Sequence, residues 1–379
     1  MGSDCEDSVL YLFELRGGIA FEVIWLGLLF YSMVILTDNY LMNYLEITIK
    51  RFNLSEEGGG CLIAFGSIVP EFTVSLVSTL LVSKQHSTLG LSTIIGSGCF
   101  DFTICVGISG FTAAYYYKFL DLSIKSLLTD MVVYLCCLLL LAYFLQDATV
   151  TTLEAGFLLL LTPLYVVYTF WFRKSDKKEP EKDLEPFKTA ETAESPLELP
   201  IYCIKTPINK FFGMFTLNYT GKLHQILVSY AMIIGFNFLI TRGTIFMLER
   251  ILCHIEVSES ILGLTLISWG NNVEDILNSA ISAKRGFGQL SVSCLLSIQV
   301  LNLIFCLGFP WTIATLLNGS LEIPDSSTVL SLQIPILVVT CSFLILCVVK
   351  KLNYKFGFLS VTLYIVYVVC IWVKNFDLK

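Results

Sequence analysis

Residues 270–279, GNNVEDILNS, place two amides and two carboxylates, Asn271, Asn272, Glu274 and Asp275, inside a run that is otherwise apolar. An ionised side chain at bilayer depth costs about 3 kcal/mol or more, so acids kept there mark the binding or movement of something charged. Residues 66–75, GSIVPEFTVS, carry a related pattern. Each begins with glycine and a small polar residue, continues through two positions to a helix-disturbing or acidic residue, then reaches Glu71 or Asp275 and Ser75 or Ser279. Ser67, Glu71 and Ser75 recur at four-residue intervals, as do Asn271, Asp275 and Ser279, so each trio shares one helix face. Pro70 lacks an N–H and releases the carbonyl of Gly66 from the helix ladder. A freed carbonyl beside a carboxylate is a ligand for a hard cation.

The following helix of each region repeats as well, STIIGSGCFDF (92–102) against CLLSIQVLNL (294–303). Here Ser97 and Asp101 share a face, and the counterpart of Asp101 is Asn302. Four helices are thus expected to surround one cavity. Its anions would be Glu71, Asp101, Asp275 and, as a further candidate, Glu274. Its neutral oxygens would be Ser67, Ser97, Asn271, Asn272 and Asn302. All-oxygen ligation by several carboxylates suits Ca²⁺ or Na⁺ better than zinc or copper.

The elements that must position these groups follow from composition. Of 379 residues, 55% are hydrophobic and only 15% charged, too apolar for one water-soluble core, so the chain is expected to be an all-α polytopic membrane protein. Apolar stretches of spanning length number ten, at roughly 19–41, 58–83, 89–113, 127–146, 152–172, 223–247, 258–283, 288–314, 330–349 and 355–374. Between the fifth and sixth lies RKSDKKEPEKDLEPFKTAETAESPLELP, which mixes both charge signs with proline and reads as a flexible linker. The expected division is a first membrane repeat at 19–172, a cytoplasmic linker at 173–222 and a second repeat at 223–374. Asp275 lies five helices further along the chain than Glu71, in the seventh stretch against the second. That odd number makes the two copies enter the membrane from opposite sides, the inverted-repeat arrangement of secondary transporters with ion sites at the midplane.

Basic residues support this topology. A cytoplasmic linker puts Lys50, Arg51, Lys118, Lys125, Lys284, Arg285, Lys350, Lys351 and Lys355 inside, against Arg16, Lys84, Arg242, Arg250, Lys374 and Lys379 outside.

Several classes are excluded. The net charge of −7 comes with no basic stripe, so nucleic acid is not an expected partner. The 13 cysteines are scattered without zinc-like spacing, and His86, His224 and His254 are dispersed, so neither a disulfide framework nor a zinc site is expected. There is no Walker run, GxSxG or HExxH, so an enzyme is not expected, and neither is any cofactor beyond transported ions. Asp130, Asp147 and Glu154 fall near helix ends and are expected to be solvated.

At these residues the chain resembles the cation/calcium exchanger superfamily, most closely its potassium-dependent sodium/calcium exchanger branch. The likeness runs through LGLLFYSMVILTDNYLMNYLEITIKRFNLSEEGGGCLIAFGSIVPE (26–71), STIIGSGCFDFTICVG (92–107), SESILGLTLISWGNNVEDILNSAISAKRGFGQLSVS (258–293) and LGFPW (307–311). The resemblance implies ten helices and alternating-access exchange of Na⁺ against Ca²⁺. It also implies metal-ligand roles for Ser67, Glu71, Ser97, Asn271, Asn272, Asp275 and the Asp101/Asn302 pair. This chain departs from the family pattern at Ile68, where a serine is usual, at Asn271-Asn272, where Thr-Ser is usual, and at Glu274, where proline is usual. The potassium-dependent branch has asparagine at the position of Asp101 and aspartate at that of Asn302. The swap implies exchange with weak or no K⁺ dependence.

GNNVE also resembles the Gly-Asn-x-x-Glu run of proton/calcium exchangers, which makes Glu274 an extra protonatable group and H⁺ an alternative driving ion. A third reading is a non-transporting scaffold, motivated by the loss of hydroxyls at Ile68 and Ile298. The lipid bilayer, Ca²⁺ and Na⁺ are the expected partners, with K⁺ or H⁺ as further ones and a monomer or homodimer as the assembly. The location is the plasma membrane or an organelle membrane.

Overall fold

The computed structural model describes residues 18–52, 64–80, 87–122, 124–172, 207–208, 210–213, 223–255, 258–284, 286–323 and 326–377. The polar connection at 173–200, and Arg16, Lys84, His86, Arg285 and Lys379, lie outside the described residues.

The chain is a succession of helices: α1 (Gly18–Leu36), α2 (Asn43–Arg51), α3 (Val69–Leu80), α4 (Ser87–Phe100), α5 (Val106–Tyr117), α6 (Ile124–Phe144), α7 (Thr152–Phe172) and α8 (Leu223–Ile255) in order. They are followed by α9 (Glu259–Leu262), α10 (Ser268–Asn271), α11 (Val273–Lys284), α12 (Gly288–Leu301), α13 (Gly308–Asn318), α14 (Ser326–Val349) and α15 (Tyr354–Asp377). Wider π turns at Thr37–Met42, Asp101–Cys105, Gly263–Ile267 and Asn302–Cys306 join α1 to α2, α4 to α5, α9 to α10 and α12 to α13.

Among the described residues, six helical stretches are long and apolar enough to cross a membrane unaided: Thr88–Tyr117, Leu127–Phe144, Thr152–Thr169, Leu227–Leu248, Ser291–Asn318 and Tyr354–Val373. Glu22–Leu36, Val69–Leu80 and Ile334–Leu346 are shorter apolar helices. The stretch 258–284 is divided at Asn272 and carries the acidic motif. Each of the ten expected crossings therefore contains helix, and the interrupted ones are those that hold polar chemistry.

Two small antiparallel strand pairs reveal the symmetry. β1 (Leu120–Asp121), between α5 and α6, pairs with β4 (Lys351–Leu352), between α14 and α15. β2 (Thr149–Thr151), between α6 and α7, pairs with β3 (Ser320–Glu322), between α13 and α14. In each repeat the first strand therefore binds the second strand of the other repeat. Even the adjoining bonds match: Leu122 N–H donates to the Lys350 carbonyl, and Ile323 N–H to the Ala148 carbonyl. Four positive-φ residues, Lys118, Ala148, Gly319 and Lys350, lead into the four strands. Only one of them is glycine, so three side chains accept an uncommon backbone conformation to keep the turn.

Within a bilayer, close packing replaces hydrophobic burial as the force between helices, and small residues set the approach. A Cβ at Gly96 would lie 2.6 Å from the Leu264 carbonyl oxygen, so the first repeat's α4 and the second repeat's π turn at Gly263–Ile267 touch through backbone. The buried cluster joins α4 to α7 with α12 to α15 and includes Tyr134, Trp311 and Tyr367. A second cluster packs Ile35, Leu36, Tyr40 and Tyr44 with Ile233. Phe212 also belongs to it, so part of the region expected to be linker is packed onto the membrane helices.

The acids expected to be solvated differ from one another. Asp130 is buried, because α6 begins at Ile124 and Asp130 lies well inside it. Glu154 forms a capping box at the start of α7, accepting from Thr151 N–H and Oγ1 at 2.8 Å each.

Candidate cation site

Both acidic motifs sit on broken helices. In the second repeat α10 ends at Asn271, Asn272 adopts φ −93° and ψ 14°, and α11 starts at Val273. The first repeat breaks at Ile68 between helical residues 64–67 and α3. The same bond restarts each helix: Phe72 N–H donates to the Ile68 carbonyl at 2.9 Å, and Ile276 N–H to the Asn272 carbonyl at 3.2 Å. Glu71 and Asp275 then fall in the first turn of α3 and α11. A helix N-terminus favours a carboxylate, while the C-terminal carbonyls of the preceding half-helix favour a cation. The arrangement therefore sets two carboxyl groups at the starts of α3 and α11, just beyond the ends of the preceding helical turns.

The two acids are brought together. Glu71 and Asp275 lie within electrostatic reach of each other, and Asp101 within reach of Glu71. Glu71 is 2% exposed and Asp275 8%. Packing across the repeats fixes them: Ser279 Oγ donates to the Cys105 carbonyl at 3.2 Å, and Ser109 Oγ to the Ser279 carbonyl at 3.1 Å. On the mirror side the Cys306 thiol contacts the Ile68 carbonyl. Ser67 is half-buried on the turn before Ile68.

Several buried polar atoms on the two motif segments and on α4 have no hydrogen-bond partner among the described residues. Glu71 Oε2, Ser75 Oγ, Ser97 Oγ and both amide atoms of Asn271 and of Asn272 are among them. Leaving such an atom unpaired costs about 1–3 kcal/mol, and carboxyl, amide and hydroxyl oxygens are the donor types that a hard cation takes. Among the described residues no group of three His, Cys, Asp or Glu side chains forms a metal cluster.

Asp101 and Asn302 are arranged differently. Gln299 Nε2 donates to Asp101 Oδ2 at 2.6 Å, and the Cys105 thiol to Oδ1 at 3.3 Å. Asn302 Nδ2 donates to Gln299 Oε1 at 3.4 Å, while the Cys306 thiol donates to Asn302 Oδ1 at 3.5 Å. The two positions of the acid/amide swap are thus joined through one glutamine, and each is served by the cysteine four residues on. Glu274 is buried and accepts from Asn278 Nδ2 at 3.5 Å.

Sequence reasoning omitted Gln299, Cys105 and Cys306. A signal for Gln299 existed: it is a buried amide in an apolar helix, one turn before Asn302 and hence on its face.

A family profile described as sodium/calcium exchanger protein matches residues 22–172 and 223–373. The chain belongs to the sodium/calcium exchanger family. It is accordingly a multi-pass integral membrane protein of two repeats, a transporter-family member rather than an enzyme. Sodium/potassium/calcium exchanger 3 of Homo sapiens is 28% identical over 153 residues, which are 40% of this chain and 23% of that protein. Sodium/potassium/calcium exchanger 1 of Homo sapiens is 30% identical over 118 residues, 30% of this chain and 11% of that protein. The matches therefore span less than a quarter of these relatives' length.

Solved structures share the fold over nearly the whole chain. The H⁺/Ca²⁺ exchanger CAX superposes with a TM-score of 0.61 at 12% identity, covering 93% of this family member and 82% of CAX. Native YfkE gives 0.63 at 12% identity, covering 94% and 98%. The sodium-calcium exchanger NCX_Mj, soaked with Na⁺ and Sr²⁺, gives 0.52 at 16% identity, covering 93% and 99%.

Proposed function

We propose that this protein is a secondary active antiporter that exchanges Ca²⁺ for Na⁺ by alternating access, with weak or no dependence on K⁺. The observation that carries this reading is the pair of mirrored helix breaks, which set Glu71 against Asp275 among unpaired buried oxygens. Two carboxylates match the charge of one Ca²⁺ or two Na⁺, so the same shell can hold either cargo in turn. Glu71 and Asp275 are the central ligands in this reading. Ser67, Ser97, Asn271 and Asn272 complete the shell, and Asp101 and Asn302 close it toward α5 and α13. The repeats at 19–172 and 223–374 are the two transport halves, joined by the 173–222 linker. Resemblance to proteins named sodium/potassium/calcium exchangers supports the cargo class.

The buried Glu274, beside Asp275, favours a second reading in which protons replace sodium. Calcium uptake into vesicles of purified protein separates the two. Uptake driven by an outward Na⁺ gradient, unchanged by K⁺ and lost in Asp275→Asn, is the expected result. Uptake under a pH gradient without sodium would transfer the reading to proton coupling, and no uptake under either gradient would leave a non-transporting scaffold.

A further inference from the structure

The candidate ligands divide into two groups by what the protein already gives them. Glu71 Oε2, Ser97 Oγ and the amides of Asn271 and Asn272 have no hydrogen-bond partner among the described residues. Asp101 has a donor on each oxygen, the Gln299 amide at 2.6 Å and the Cys105 thiol at 3.3 Å. Asp101, Gln299 and Asn302 are all fully buried. A carboxylate in such surroundings needs either a cation or strong donors, and the first bond is short for an N–H donor.

At the donor's position the two repeats differ. The counterpart of Gln299 in the first repeat is Gly98, three residues before Asp101 as Gln299 is three before Asn302. A Cβ at Gly98 would press on the Tyr134 hydroxyl and approach Gln299 Oε1 to 3.6 Å. The absence of a side chain at Gly98 therefore leaves room for the Tyr134 hydroxyl, and the Gln299 amide of the other repeat packs beyond it at ordinary contact distance. Gln299 Oε1 is oriented in turn by Asn302 Nδ2, which leaves Nε2 directed at Asp101.

We propose that Gln299 is a positioning residue that withholds Asp101 from the transported ions, its amide supplying the positive charge density that a bare carboxylate would draw from a monovalent cation. The proposal rests on the exchange reading above and gives a physical cause for its lack of a third ion. Asp101 then acts as a fixed wall of the site, and the ions bind to Glu71, Asp275 and the unpaired oxygens.

Gln299→Met keeps the volume and removes the amide. In vesicles under a fixed outward Na⁺ gradient, wild-type calcium uptake is expected to be equal in K⁺ and in choline, whereas Gln299→Met should run about tenfold faster in K⁺ than in choline. Equal rates of the variant in both salts would overturn the proposal. A second arm does not need transport: Gln299→Met should lower the melting temperature of the detergent-purified protein, and adding Asp101→Asn should recover most of the loss. A loss of the same size with Asp101→Asn present would overturn the clamp. If Gln299→Met alone does not fold, recovery of folded double variant supports the proposal, and failure of both overturns it. If the wild type moves no calcium, the exchange reading fails while the thermal arm still decides the clamp.

Discussion

The helix break at Ile68 is followed by Pro70, and the break at Asn272 by Glu274 at the matching position. One site has a residue that cannot continue a helix ladder, and the other has a good helix former, yet both chains turn at the same place and restart with the same backbone bond. Proline is therefore not required for the break. In the second repeat Asn272 takes the bridge conformation itself, and a Cβ at Gly270, two residues before it, would collide with the Phe30 ring. The repeats keep a geometry while exchanging the residues that support it. What both retain is a carboxylate in the first turn beyond the break.

If the arms are equivalent, neutralising either should have the same and the largest consequence. Glu71→Gln and Asp275→Asn are each expected to reduce sodium-driven calcium flux by about a hundredfold or more, with protein that elutes and melts as a folded species. A large loss from one and normal flux from the other would make the site one-sided.

The unpaired shell gives the next effect. Asn272→Ala and Ser97→Ala should lower apparent calcium affinity about tenfold, while ion-free melting temperature stays level or rises by about 2–4 °C because a buried unsatisfied group has gone. Calcium titrations and thermal melts of the same samples check both halves. A drop in both quantities would show that these side chains hold the fold rather than the ion.

Packing separates the repeats more finely. Gly107 and Gly308 share the 201-residue offset of Asp101 and Asn302. A Cβ at Gly308 would meet the Leu159 backbone nitrogen at 2.8 Å, whereas at Gly107 it would meet Val361 Cγ2 at 3.3 Å. Backbone cannot yield as a side chain can, so Gly308→Ala should cost about 1–3 kcal/mol and Gly107→Ala less than about 1 kcal/mol. Denaturation in detergent gives the comparison.

The smallest expected effect is from Glu274→Pro, which copies the first repeat into the second. Proline inside a helix costs about 3 kcal/mol, but at a helix start it is tolerated. The loss should stay under about 1 kcal/mol in the same denaturation assay, with sodium-driven flux retained. Flux lost selectively under a pH gradient would instead assign Glu274 to proton coupling.

Much of this was legible in the sequence. The ten apolar stretches, the polar residues that interrupt two of them and the odd, five-helix offset from Glu71 to Asp275 sufficed for inverted repeats, because lipid imposes length and polarity on every span. The strand pairs escaped notice because two or three residues cannot display an alternating pattern. Gln299 escaped for a different reason: comparing repeats highlights matches, and Gln299 acts where its counterpart is Gly98. Cys105 and Cys306, which belong to no metal-like spacing, are hydrogen-bond donors to Asp101 and Asn302. Asp130 was misplaced because the beginning of α6 sets which of its turns is buried.

The crossed strand pairs also govern how the molecule is made. Leu120 must wait for Leu352, and Val150 for Leu321, before either pair can close. During synthesis the first half therefore enters the bilayer with its acidic wall unmatched, and Glu71 has no Asp275 opposite it until α11 is inserted. An insertion chaperone or the translocation channel would have to shelter that wall for the time taken to translate about two hundred residues. Variants that weaken the pairing at β1 or β2 should consequently surface as faulty biogenesis, with less protein reaching its membrane, before they surface as altered transport.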